Sequence, residues 1–236
     1  YLVAVISLFL IGSGMAMLQV AINPLLRVSG GEENFAFNSV VAQLFFGLAS
    51  FLSPLVYSYL VLNIGSDDMG FFLSLMTDIV PANLPWVSLY WIFAIVSLIM
   101  VAVIAASKFP EVLKNDDEKV GALETHFEML KNKKVVLFFL GIFAYVGAEQ
   151  GVANWISEFL SSYHGYDPQT TGATIVSWFW GMMTAGTVLG LFLLKVMDSK
   201  KILIAFTSVV IISLTLALFG SREISLYAFP AIGFFI

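Results

Sequence analysis

Tyr145, Glu149, Gln150 and Asn154 stand within YVGAEQGVANW, a stretch embedded in one of the most apolar parts of the chain. A carboxylate beside a phenol and two amides can bind hydroxyl groups or carry a proton, because each group donates or accepts hydrogen bonds. On a helix turning about 100° per residue, Tyr145 falls about 40° to one side of Glu149, with Gln150 and Asn154 about 100° and 140° to the other. All four therefore share one half of the helix. An ionisable side chain in hydrocarbon costs about 2.5–3.5 kcal/mol on insertion scales and normally faces a cavity or a partner. The spacing predicts a wet cavity beside Glu149.

Three further groups of residues could contribute. MLQVAINPLLRV places Gln19 and Asn23 at i and i+4 on one helix face, and Pro24 there removes a backbone hydrogen bond and predicts a bend. FAFNSVVAQLFFGL puts Asn38 near a helix end and Gln43 deeper. Amides suit sugar hydroxyls because each can both donate and accept. They also tie packed membrane helices together, and both roles stand open for Gln43 and Asn23. In SWFWGMMTAGTVLG, Trp178 and Trp180 could stack on a sugar ring or sit at the membrane interface. Gly186 and Gly190, four apart, suit close helix packing without any ligand.

The elements that must carry these residues are membrane spans. The chain has 236 residues, 59% hydrophobic and 11% charged, with mean hydropathy +0.93, whereas soluble domains average about 25% charged residues. A helix needs about 20 apolar residues to cross the hydrocarbon core. Six runs qualify, near 1–26, 37–62, 86–107, 135–160, 170–195 and 202–220, and a seventh starts near 224. They are too long for the roughly ten-residue strands of an outer-membrane barrel, so the fold class is an all-α polytopic membrane protein. The chain opens on YLVAVISLFLIG and closes on LYAFPAIGFFI, which reads as a fragment of a longer protein, and it lacks the basic start of a signal peptide.

Charge orients the spans. Arg27 lies in the first connection, Lys108, Lys114, Lys119, Lys131, Lys133 and Lys134 in the third, and Lys195, Lys200 and Lys201 at the fifth, which leaves only Arg222 on the alternate set. The positive-inside rule then puts loops 27–36, 108–134 and 196–201 in the cytoplasm. Loop two carries Asp67, Asp68 and Asp78 instead. The long third loop divides the chain into 1–107, a linker at 108–134, and 135–236. Val120, Leu123, Phe127 and Leu130 recur at helical spacing within the linker, predicting a short amphipathic helix beside His126.

LQVAINPLLRVSG, the pair Ala42–Gln43, YVGAEQGVANW, and WGMMTAGTVLG with a following Lys pair occur in this order along nearly the whole chain. Together they resemble the fucose/proton symporter family of sugar transporters, within the major facilitator superfamily. The resemblance implies a twelve-helix bundle of two halves with sugar bound between them. It places 1–107 on helices four to six and 135–236 on helices seven to nine and the start of ten. Gln19 stands where the fucose transporters often carry Glu, and Thr187 where the family pattern has Arg. Glucose- and galactose-transporting relatives share the Gln, and the reading shifts toward such hexoses.

The function this implies is import of a hexose with a coupling cation, a proton, by alternating access in a bacterial-type inner membrane. The full-length protein would be a monomer. Gln19, Asn23, Gln43, Glu149, Gln150, Asn154 and Trp178 would bind substrate. Glu149 would accept a sugar hydroxyl or change protonation during the cycle. Passive sugar facilitation and efflux of amphipathic compounds are the alternatives; FFGLASFLSPL offers a drug-antiporter motif only Gly47 and Pro54. No enzyme is expected, since no catalytic constellation, metal-binding cluster or phosphate-binding glycine loop is legible, and no cofactor is implied. The absence of Cys excludes disulfides and thiolate chemistry.

Overall fold

Segments this apolar must satisfy their backbone groups internally, and a helix does so within a single span. The computed structural model describes residues 2–31, 33, 35–66, 70–81, 83–108 and 130–236. Its helices are α1 (Leu2–Gly30), α2 (Phe35–Asn63), α3 (Phe71–Ile79), α4 (Val87–Ala106), α5 (Lys133–His164), α6 (Ala173–Leu193), α7 (Ser199–Phe219) and α8 (Arg222–Phe235). A π-helical turn, Pro168–Gly172, leads directly into α6. Among the described residues six helices are long and apolar enough to span a membrane. They occupy the six runs expected from hydropathy, and α8 begins where the seventh was expected.

Two elements differ from that expectation or lie beyond it. Loop two, read as a polar connection, contains α3, with Leu73 and Met76 buried. In the linker, the helix expected from Val120, Leu123 and Phe127, together with His126, lies outside the described residues, as do Asp67 and Asp68. Pro24 stands inside α1, which continues helically through it. His164 is the last residue of α5.

Helix ends follow local chemistry. Asn132 caps α5 by accepting from the Lys134 backbone N–H at 3.0 Å, and Gly165 ends it in the left-handed region at φ 67°. Asp198 caps α7 through the Lys200 N–H at 2.9 Å. Asp167 receives three hydrogen bonds on one oxygen, from the backbone of Gln169 at 2.9 Å and Thr170 at 2.8 Å and from the Thr170 hydroxyl at 3.0 Å. The Thr170 backbone bond is the main reason its carboxyl is held below the ordinary value of 3.8.

A depressed carboxylate stabilises the fold above its unfolded value and loses that contribution as pH falls through the folded one. Asp167→Ala should therefore melt earlier than the parent at neutral pH, with the gap closing in acid below 3.8. Thermal unfolding followed across that range checks this, and a gap independent of pH would refute the capping account.

Helix α6 is the hub: it packs against α2 on one side and α8 on the other, and α8 in turn packs on α7. A core of Ile156 and Leu160 from α5, Phe179 from α6, Ala217 from α7 and Phe229 and Ile232 from α8 joins the four helices. Close approach of α6 and α8 needs glycine on both sides. A Cβ on Gly186 would strike the Phe234 carbonyl, and one on Gly233 the Phe179 carbonyl. The expected pair of packing glycines therefore divides, because nothing lies within 4 Å of a Cβ at Gly190.

Buried Ser225 ties the far end of this core. Its hydroxyl donates to the Ala217 carbonyl at 2.7 Å, one of the carbonyls left over at the end of α7. With its single proton so used, it accepts from His164 Nε2, 3.0 Å away. This pairing links the ends of α5, α7 and α8.

Candidate functional site

Below that core, α5, α6 and α7 separate toward the end of α6 that leads into α7. They leave a cavity of about 610 Å³ that also takes in residues of α2 and the end of α8. Its size falls within the roughly 300–1,000 Å³ of small-molecule sites. Gln43 of α2, Tyr145 and Glu149 of α5, Thr187 of α6 and Ser199 and Thr207 of α7 supply its polar groups. Four phenylalanines, Phe46, Phe206, Phe234 and Phe235, stand with Met183 and aliphatic side chains such as Leu194 and Ile202 in its apolar wall. A few convergent polar groups set in such a wall can orient a polyhydroxylated ring, whose C–H faces are apolar and whose edge is polar.

Each polar group is positioned by its helix. Glu149 and Tyr145 are one turn apart and interact directly. Gln150 donates from Nε2 to Glu149 Oε1 at 3.0 Å, and with the Tyr145 hydroxyl it orients the carboxylate, whose two oxygens offer about four acceptor sites in all. The Thr187 hydroxyl donates to the Met183 carbonyl at 2.9 Å, a pattern that absorbs the proton and leaves lone pairs to accept from a ligand. Gln43 also borders a narrow cleft with Trp180 and Thr184. There Phe46 meets Trp180 edge-on at 6.2 Å between centroids.

Among the residues expected to bind substrate, the cavity unites Gln43 with Glu149. Gln150 is exposed and reaches the site only through its bond to Glu149. Asn154 is exposed further along α5, and Gln19 is exposed on α1; neither lines the cavity. Trp178 is half-exposed and packs edge-on to Phe51 at 5.9 Å, away from the cavity. Asn23 belongs to α1, and its side chain lies outside the described set.

Thr207 and Ser199 were not singled out by sequence, and Thr187 only as a departure from a family pattern. A hydroxyl in a membrane helix is common and carries little signal. The weak clue to Thr207 was the polar pair with Ser208 interrupting ILIAFTSVV. No group of His, Asp or Glu able to hold a metal occurs among the described residues.

The profile of the Major Facilitator Superfamily matches residues 1–236. The chain is 28% identical over 237 residues to the "Glucose/galactose transporter" of Brucella abortus biovar 1 (strain 9-941), covering 97% of this chain and 53% of that one. The protein of that name from Brucella abortus (strain 2308) matches to the same extent. A Helicobacter pylori protein is 29% identical over 233 residues, covering 97% of this chain and 54% of its own. The chain thus spans about half the length of the curated relatives it matches. No solved structure matches it significantly.

Proposed function

The chain belongs to the Major Facilitator Superfamily, and on that premise we propose that it is part of a transporter that imports a hexose together with a proton by alternating access. The observation that carries this reading is the meeting of Gln43 and Glu149, from helices α2 and α5, in one cavity with a mostly apolar wall. The relatives named for glucose and galactose transport support the choice of substrate.

In this reading 1–107 closes one half of the bundle, 108–134 links the halves on the cytoplasmic side, and 135–236 opens the other half. The cavity then lies between the halves. It borders Leu194 and Ser199, next to the expected cytoplasmic loop 196–201, while the α5–α8 core packs the opposite end. That arrangement fits the stage at which sugar passes to or from the cytoplasm. Gln43 and Thr187 would hold hydroxyls, and Glu149 would accept a hydroxyl or exchange the coupled proton. The site sits in a multi-pass protein of the bacterial inner membrane, with no cofactor and no enzymatic step.

The mostly apolar wall supports a second reading, export of amphipathic compounds or passive sugar passage. Reconstituted vesicles of the full-length protein separate these. With an inward proton gradient, labelled glucose or galactose should accumulate against its gradient, compete with the other hexose, and leak back when an uncoupler is added. Equilibration without accumulation would mean passive facilitation, and outward flux of an apolar dye without hexose uptake would mean export.

A further inference from the structure

Helix α3 carries a continuous apolar arc of about 200°, of which one side is packed and the other forms a second, exposed face. Leu73 and Met76 turn inward and are buried at 5% and 1% exposure. Measured from Phe71, the side chains of Leu75, Ile79 and Phe72 lie at about 40°, 80° and 100° around the helix, so four large apolar groups fill one arc. They remain exposed, Phe71 at 88% and Phe72 at 48%. The polar Ser74 and Asp78 fall together outside that arc, at about 300° and 340°.

We infer that this second face is a lipid-docking surface, which seats α3 in the interfacial layer of the leaflet where α2 ends and α4 begins. Continuity with α4 supports lipid as the occupant. That helix is the most apolar of the long ones after α7, with none of its most hydrophobic window buried. Its start carries Trp86 and Tyr90, half-exposed and edge-on at 5.9 Å. Such amphipathic rings favour the level of the lipid headgroups. Asn63 and Val87 end and begin spanning helices, so the segment between them, α3 included, starts and finishes near that level. A helix with apolar residues on one arc and an acidic and a hydroxyl residue beside it lies stably in that layer, its apolar arc toward the acyl chains.

This chain contains no Cys, so within these 236 residues of the full-length protein each introduced cysteine is unique and can carry a nitroxide, with the unsubstituted protein labelled in parallel as the blank. Labels at Leu75→Cys, Ile79→Cys, Asp78→Cys and, on the lipid side of α4, Val96→Cys would be compared in vesicles of phosphatidylcholine and phosphatidylglycerol. Collision with oxygen should exceed collision with a water-soluble nickel chelate severalfold at 75, 79 and 96, and the order should reverse at 78. If the labels at 75 and 79 meet nickel as freely as the one at 78, the face is in water. If they are shielded from both reagents, another protein surface covers it. Either result overturns the assignment.

Discussion

Glu149→Gln is expected to abolish uphill sugar accumulation while sparing exchange of labelled for unlabelled sugar across the same vesicles. The amide keeps the shape of the carboxylate and its acceptor oxygen but cannot take up and release a proton at physiological pH. Exchange needs only binding and reorientation of the loaded site; accumulation needs the coupled ion. A potential of about 100 mV contributes about 2.3 kcal/mol per charge moved, equivalent to roughly a fifty-fold concentration ratio. The variant should bring that ratio to about one. If accumulation persists, Glu149 is not the coupling group; if exchange is lost together with accumulation, it is primarily a sugar ligand. Gln150 makes this split readable, because its amide bonds Glu149 at 3.0 Å and can bond the replacement as well.

The second large effect is structural. Gly186→Val places its Cβ against the Phe234 carbonyl, and a backbone atom in a packed helix cannot swing aside as a side chain can. Helices α6 and α8 must move apart, at a cost of about 1–3 kcal/mol typical of overpacking. Separation would also disturb the reciprocal contact of Gly233 with Phe179 and the core beyond it. Gly190→Ala, one turn later, meets nothing within 4 Å and should be neutral or slightly stabilising. Thermal melting in detergent should show a clear loss for the first and none for the second. Equal losses would mean that general helix propensity, not the α6–α8 contact, sets the response.

Those two glycines also show where sequence reasoning stops. Their spacing announced a close-packing face, yet only one of them meets a backbone, because which turn touches a neighbour depends on crossing geometry that lies outside the sequence of α6. The long spans were legible because roughly twenty apolar residues leave no other option in a bilayer. Helix α3 was not, since nine residues fall below that length and Asp78 beside Asp67 and Asp68 made the region read as polar. The joining of Gln43 to Glu149 followed from intramembrane polarity once a resemblance supplied the arrangement of the helices. Asn154 illustrates the opposite case: it shares a half-turn with Glu149 in projection, but it stands more than a turn further along α5, beyond the cavity. Periodicity reports angle around a helix and is silent on height along a neighbour.

Helix α5 has 32 residues, about 48 Å at about 1.5 Å each, against a hydrocarbon core of about 30 Å. A typical tilt of about 20° shortens its projection only slightly, so both ends stand clear of the oil. If exposed Trp155 marks one boundary, His164 lies about 14 Å beyond it along the axis, among headgroups, ions and water. Glu149 lies on the other side of that boundary. One continuous rod therefore ends in the high-dielectric layer at the His164–Ser225 junction and carries its carboxylate in the low-dielectric one. Lipid headgroup charge should bear on the first far more than on the second.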